Sequence, residues 1–307
     1  GTFVMNSRID LKELPAAGLR TSLTAKLRGY WALIKSLQTL LLLATGLAGY
    51  LSARPYTASP AEALWMLLGL FAAISGTTAL NMVLDRDIDA QMERTAGRPL
   101  PSGVLSPAEA AIFGGLLVAV GLGIAVRMSV AFGSVIAAGV IFDLVVYTLW
   151  LKRRSPWSIL FGGISGGMPI LAGRVLGIGR VDGLGILLAL SVLTWIPAHM
   201  MPLAIKYDAD YHQAGVPTWP NTYGFDSARR FMAWANAVRI LALGSAGWLL
   251  RICPYSLGLL GFSGSVMLGL SIWSIWRPSV RLNHGLFKFA SVHMLGSMVL
   301  MAWGAMV

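Results

Sequence analysis

Apolar runs of about 20 residues alternate with short polar connections along almost the whole chain. They fall near 30–52, 62–83, 107–126, 129–151, 157–176, 183–205, 230–250, 255–276 and 285–307. A helix needs about 20 apolar residues to cross roughly 30 Å of hydrocarbon. Ten-residue segments of alternating character, the mark of a transmembrane barrel, are not visible. The pattern predicts an all-α, polytopic membrane protein with nine transmembrane helices. The run at 157–176 is the least regular, because glycine interrupts it so often.

Composition narrows the class. Of 307 residues, 56% are hydrophobic and 12% are charged, against about 25% charged in an ordinary soluble domain. Too little charge is present to cover a water-facing surface. This excludes a soluble enzyme, a disordered chain and a soluble nucleic-acid binder, so the bilayer is the expected partner and nucleic acid is not. The one cysteine, Cys253, excludes an internal disulfide and any multi-cysteine metal site.

Charge orients the runs. The 24 Lys and Arg exceed the 13 Asp and Glu, for a net charge of +11. Sixteen of the bases fall on the side that holds the N-terminus, Arg94, Arg98 and the triplet Lys152, Arg153 and Arg154; five, among them Arg54 and Arg127, fall on the other. Basic loops stay in the cytoplasm, so the N-terminus is expected there, with every long polar loop on the same face. Residues 1–28 lack the apolar core of a signal peptide. They are expected to form a cytoplasmic N-terminal segment, with the membrane surface as an alternative resting place. Residues 29–307 then form a single nine-helix transmembrane domain.

The strongest chemical signal is Asn81-Met-Val-Leu-Asp85-Arg-Asp-Ile-Asp89, at the inner end of the second run. Positions four apart share one helix face. Two carboxylates there repel unless a cation lies between them, and oxygen-only ligands favour Mg²⁺, which bridges to substrate phosphates. Two aspartates at this spacing are more often a solvated face with Arg86 as counter-ion; Asn81 in register reverses that balance. Arg94 and Arg98 are again four apart, and guanidinium forks match phosphate oxygens. Alone they serve equally well as a positive-inside anchor.

A second acidic cluster, Lys206-Tyr-Asp208-Ala-Asp210-Tyr211, closes the sixth run. A spacing of two does not put both acids on one helix face. The segment is therefore unwound or turns only one aspartate inward, and Asp210 is preferred to Asp208. Tyr147 precedes the basic triplet at the end of the fourth run, where tyrosine and lysine are also ordinary interface residues. Of four histidines, His199 and His293 lie within runs, where a polar ring faces a cavity or the bundle interior. So do Asp143, four residues before Tyr147, and Arg239, for which pairing with Asp143 or with an acceptor carboxylate both remain open. The glycines between Gly162 and Gly167 lack a phosphate-loop ending. They fit close helix packing or room for a flat ligand.

Two acidic clusters and bases on one membrane face suit a Mg²⁺-bound diphosphate whose apolar tail lies among the helices. Asn81-x3-Asp85-x3-Asp89 resembles the first aspartate motif of the UbiA superfamily of intramembrane prenyltransferases. Within it, three stretches are similar to the protoheme IX farnesyltransferase (heme O synthase) branch. They are Asp85–Leu100 with its Glu93-Arg94-Thr95-x2-Arg98-Pro99, then Tyr147-Thr148-x-Trp150-Leu151-Lys152-Arg153, and then Trp195-x-Pro197-x-His199 running on to Asp210-Tyr211-x3-Gly215-Val216-Pro217. Ser36, Asp208-Ala209, Thr218-Trp219 and Asp143 depart from the branch pattern.

The resemblance implies a UbiA-type bundle with a cytoplasm-facing central cavity in the plasma membrane of a prokaryote. It implies Mg²⁺ as cofactor, farnesyl diphosphate and heme B as substrates, and heme O and diphosphate as products. Heme A synthase or a terminal oxidase assembly are the candidate partners downstream. The residues it assigns to the metal are Asn81, Asp85, Asp89 and Asp210, with Asp208 as the alternate. It assigns Arg94, Arg98, Lys152 and Arg153 to the diphosphate, Tyr147 to the reacting end of the substrate, and His199, Trp195 and more weakly His293 to the heme. A UbiA-type enzyme with a quinone-precursor, chlorophyll-type or glycerol-phosphate acceptor would share the first motif without needing the His199 stretch. A non-catalytic transport or heme-handling protein would spread its charges across the bilayer rather than gather them on one face.

Overall fold

The computed structural model describes residues 22–54 and 57–306, so most of the expected N-terminal segment lies outside the described residues. All regular structure among the described residues is helical. Helix α1 (Leu23–Ile34) starts at Ser22, whose side chain accepts the Ala25 N–H, and α2 spans Ser36–Ala53. Between them Lys35 adopts a left-handed conformation, with φ of 48°. The apolar run expected as one helix over 30–52 is therefore two helices, and α1 crosses the boundary drawn at 28/29.

Helix α3 (Pro60–Leu84) begins with Ser59 capping and proline in the first turn, and α4 (Arg86–Gln91) continues from its end. Helix α5 (Pro107–Met128) opens on a reciprocal Ser106–Glu109 cap, which satisfies two otherwise orphaned N–H groups. Helix α6 (Val130–Ile141) runs into a wide i→i+5 winding over Phe142–Leu151. Then follow α7 (Ser158–Ile178), α8 (Gly183–Lys206), the short α9 (Asp208–Gln213) and α10 (Trp219–Tyr223), α11 (Phe225–Leu249), α12 (Pro254–Trp276) and α13 (Val280–Met306). Eight of these are long and apolar enough to cross a membrane, counting Val130–Leu151 as one. Helix α11 has the length but carries Asp226, Arg229, Arg230 and Arg239.

The long helices pack as two rings. In the first, α2, α3, α5, α6 and α7 each contact the next, and α7 closes on α2. In the second, α8, α11, α12 and α13 do the same, and contacts of α7 with α8 and α2 with α13 join the rings. Close approach of α2 and α7 depends on glycine: a Cβ on Gly173 would strike the Gly46 carbonyl, and one on Gly49 the Ile170 carbonyl. The glycines of the fifth run thus serve packing, as small residues commonly do between membrane helices. Gly162 differs, since it faces the ring of Tyr147.

Candidate functional site

A cavity of about 1100 Å³ lies between the two rings, with walls from α2, α3, α6, α7, α8 and α13. One end is charged. Although α3 stops at Asp85, the Asp85 N–H still donates to the Asn81 carbonyl (2.9 Å) and the Asp89 N–H to the Asp85 carbonyl (2.8 Å). The spacing of four survives the break, so Asn81, Asp85 and Asp89 all line the cavity.

Each of these groups is answered from a different element. Lys152 Nζ donates to Asp85 Oδ2 at 2.5 Å, and Arg98 Nη1 donates to both Asp89 oxygens at 2.8 and 2.7 Å. Asn81 Nδ2 donates to Asp143 Oδ2, while Thr148 Oγ1 donates to Asn81 Oδ1 at 2.8 Å. Ser165 Oγ of α7 donates to the other Asp143 oxygen at 3.0 Å. The i→i+5 winding brings Asp143 and Thr148, five residues apart, into line toward Asn81. It ends where the Lys152 N–H donates to the Tyr147 carbonyl at 2.8 Å, which delivers Lys152 to Asp85. Burial opposes the Lys152 charge, but Tyr147 and Asp85 outweigh it and raise the ammonium pKa.

Asp85 Oδ1 is buried and has no partner. Among the described residues, no three His, Cys, Asp or Glu side chains cluster around a metal position. Magnesium does not require such a cage, because one or two carboxylates plus substrate phosphates and water suffice. An unpartnered Asp85 oxygen beside Asn81 and Asp89 fits that donor set.

The other acids and bases stand further out. Arg153 Nη1 and Nη2 grip exposed Asp87 at 2.6 and 2.7 Å, and these bonds hold the Asp87 pKa down to about 2. Arg153, expected at the diphosphate, therefore faces Asp87 and does not line the cavity. Arg94 does line it, with Nη2 on the Tyr211 hydroxyl at 3.2 Å. In the second cluster the chain unwinds at Tyr207 and rewinds as α9. Asp210 Oδ2 accepts the Arg94 backbone N–H at 3.5 Å. Asp208 Oδ1 is buried without a partner, and desolvation raises its pKa against the lowering influence of His212. Neither aspartate is in the cavity wall; Tyr211 is.

Away from the mouth the cavity is apolar, with Leu41, Leu70 and Ile136 in its wall and Tyr147 near Lys152. The far wall carries His199, stacked between Trp195 (ring centroids 4.7 Å apart) and Phe287 (4.4 Å). Ser291 Oγ lies 3.4 Å from His199 Nδ1, and Trp195 Nε1 donates to the Ala290 carbonyl at 2.9 Å. Helices α8 and α13 are thus tied together around this imidazole. His293 is two residues past Ser291, buried behind the wall, and does not line the cavity.

Two further corrections concern buried charge. Asp143 is occupied by Asn81 and Ser165, so it does not pair with Arg239. Arg239 is also not in the cavity wall, which removes an acceptor carboxylate as its direct partner. Lys35 was missed as a site residue: it lines the cavity and feels the charges of Asp85, Asp143, Arg98 and Lys152. An ammonium inside an apolar run was the available signal.

Residues 42–292 match the sequence profile described as the UbiA prenyltransferase family. Protoheme IX farnesyltransferase of Archaeoglobus fulgidus is 41% identical over 230 residues, which cover 74% of this chain and 80% of that protein. Protoheme IX farnesyltransferase 2 of Mesorhizobium japonicum is 36% identical over 273 residues, covering 88% and 84%. Among solved structures, a digeranylgeranylglyceryl phosphate synthase shares the fold with a TM-score of 0.74 at 20% identity, over 92% of this chain and 99% of that one. A UbiA homolog from Archaeoglobus fulgidus, bound to DMAPP and Mg²⁺, does so with a TM-score of 0.65 at 16% identity, over 89% and 98%.

Proposed function

The chain belongs to the UbiA prenyltransferase family, and from that premise we propose that it transfers a farnesyl group from farnesyl diphosphate to a vinyl carbon of heme B. Water completes the addition, and heme O and diphosphate leave. The observation that carries this reading is one cavity that joins an acid-and-base mouth to an apolar interior walled by a clamped histidine.

Negative charge grows on the diphosphate as its bond to C1 of the farnesyl group breaks. Lys152, Arg94 and Arg98 meet that charge at the mouth, where donors already in place reorganise little. Mg²⁺, held by Asn81, Asp85, Asp89 and Asp210 with Asp208 as the alternate, supplies Lewis-acid neutralisation of the same diphosphate when bound. Asp143 and Thr148 orient the Asn81 amide, and Lys152 keeps Asp85 ionised. The apolar walls and the Tyr147 ring keep water from the allylic cation. The vinyl carbon attacks C1, water adds to the cation then left beside the porphyrin, and the added water gives up a proton. His199 bears on the heme iron or the porphyrin edge, with Trp195 and Phe287 fixing its plane.

Lysine and arginine asymmetry supports a cytoplasmic N-terminus, a cytoplasm-facing mouth and a ninth crossing by α11. It also supports residence in a prokaryotic plasma membrane, with heme A synthase or a terminal oxidase assembly receiving the product. The test is mass spectrometry of pigment after incubation of purified protein with heme B, farnesyl diphosphate and Mg²⁺. A porphyrin heavier by one hydroxyfarnesyl unit is expected. Unchanged heme with continued diphosphate release overturns the acceptor, and neither product overturns the whole reading.

A further inference from the structure

The second ring encloses a charged group that prenyl transfer does not use. Arg239, midway along α11, is 1% exposed. Its Nε and Nη2 are buried without an acceptor, and no acidic side chain acts on it. The contrast with Arg174 of α7 is direct. That guanidinium, also buried, donates to Asp182 at 2.7–3.1 Å and to the Ser52 carbonyl and hydroxyl at 3.1 Å.

The neighbours of Arg239 are polar but uncharged. Asn236, one turn earlier on the same helix, donates Nδ2 to Ser271 Oγ of α12 at 2.8 Å and leaves Oδ1 buried and unpartnered. From α13, His293 lies within reach of the Arg239 charge. Its Nδ1 is 3.3 Å from Ser297 Oγ, and its Nε2 is buried without a partner. Three helices thus bring unanswered polar atoms into the core of one four-helix ring.

A guanidinium does not shed its proton in a protein, and a charge in a membrane interior must be paired. Water alone would satisfy the hydrogen bonds and leave the charge. None of the three residues lines the substrate cavity, and the wall bearing His199 and Ser291 stands between, so a bulky occupant is excluded. We propose that Arg239, Asn236 and His293 hold one small monovalent anion, of halide or formate size, in the core of the α8–α11–α12–α13 ring. The guanidinium and the His293 Nε2–H donate to it, the buried charge falls to zero, and the anion pins α11 to α13 behind the His199 wall.

The full chain, purified in detergent with gluconate as the only anion, is titrated with chloride at constant ionic strength. A site that binds only the folded state raises Tm with ligand, by on the order of 2 °C per tenfold rise in chloride above Kd. Bromide should substitute and remain at about one per chain after desalting, as a single site requires. Arg239→Gln should lose both responses. Where that variant does not fold, bromide retention by the native chain and its loss in His293→Phe decide. A native chain that retains no bromide, a Tm indifferent to chloride, or an unchanged response in Arg239→Gln overturns the proposal. None of these outcomes bears on the transfer reaction.

Discussion

The two acidic motifs sit at equivalent places, each at the inner end of a long helix, and differ in how they are held. The first keeps a spacing of four across the break at Asp85, lines the cavity, and meets Lys152 and Arg98 at 2.5–2.8 Å. The second has a spacing of two on a helix of six residues, stands outside the cavity wall, and makes one contact of 3.5 Å from Asp210. Partners from three other segments hold the first motif; the second is tied to the molecule mainly through the Arg94–Tyr211 contact. A preorganised charge site resembles the first, whereas the second is built to adjust when substrate arrives.

Substitutions sort along this contrast. Asp85→Ala should reduce transfer by about 10²-fold or more, the scale of losing one preorganised electrostatic group, with helicity by circular dichroism unchanged. An active, folded variant would put the metal elsewhere. Lys152→Met strands Asp85 and should cost about 3 kcal/mol of stability by denaturant titration, as breaking a buried ion pair does. Asp210→Asn should cost roughly tenfold in turnover, the scale of one charge-assisted hydrogen bond; a loss equal to that of Asp85→Ala would erase the distinction between the motifs. Asp143→Leu frees the Asn81 amide to turn and should weaken apparent Mg²⁺ affinity, read by calorimetry with a diphosphate analogue. Asp143→Asn keeps an acceptor and should retain most of that affinity. The smallest effect belongs to Asp87 and Arg153, both exposed, where removal should change stability by no more than about 0.5 kcal/mol. The pair stabilises while Asp87 is ionised, so its contribution is complete above the ordinary aspartate range and fades only as pH falls toward 2. Stability between pH 6 and 8 should not move.

Much of the first motif was legible because helix periodicity acts over four residues, the same distance that separates its members. Trp195 and His199 were legible as neighbours for the same reason. Their third partner, Phe287, was not, since 88 positions of chain lie between it and His199. The bond from Asn81 to Asp143 joins residues 62 apart, and a wide turn that no propensity announces sets it up. Lys35 read as a base within one continuous span. Folding broke the helix there, which moves an ammonium out of the hydrocarbon and into the charged mouth beside Asp85 and Asp143.

Sequence alone determined that this protein lies in a bilayer, roughly where its helices run, and that one helix end gathers oxygen ligands. Length, apolarity and a spacing of four are local properties, and lipid as solvent leaves few alternatives to helices. Tertiary structure decided which cation answers which carboxylate, that His199 rather than His293 faces the cavity, and that Arg239 stands apart from both Asp143 and the substrate. Those outcomes depend on which faces of distant helices meet, a choice made by packing across two rings that no single run of residues encodes.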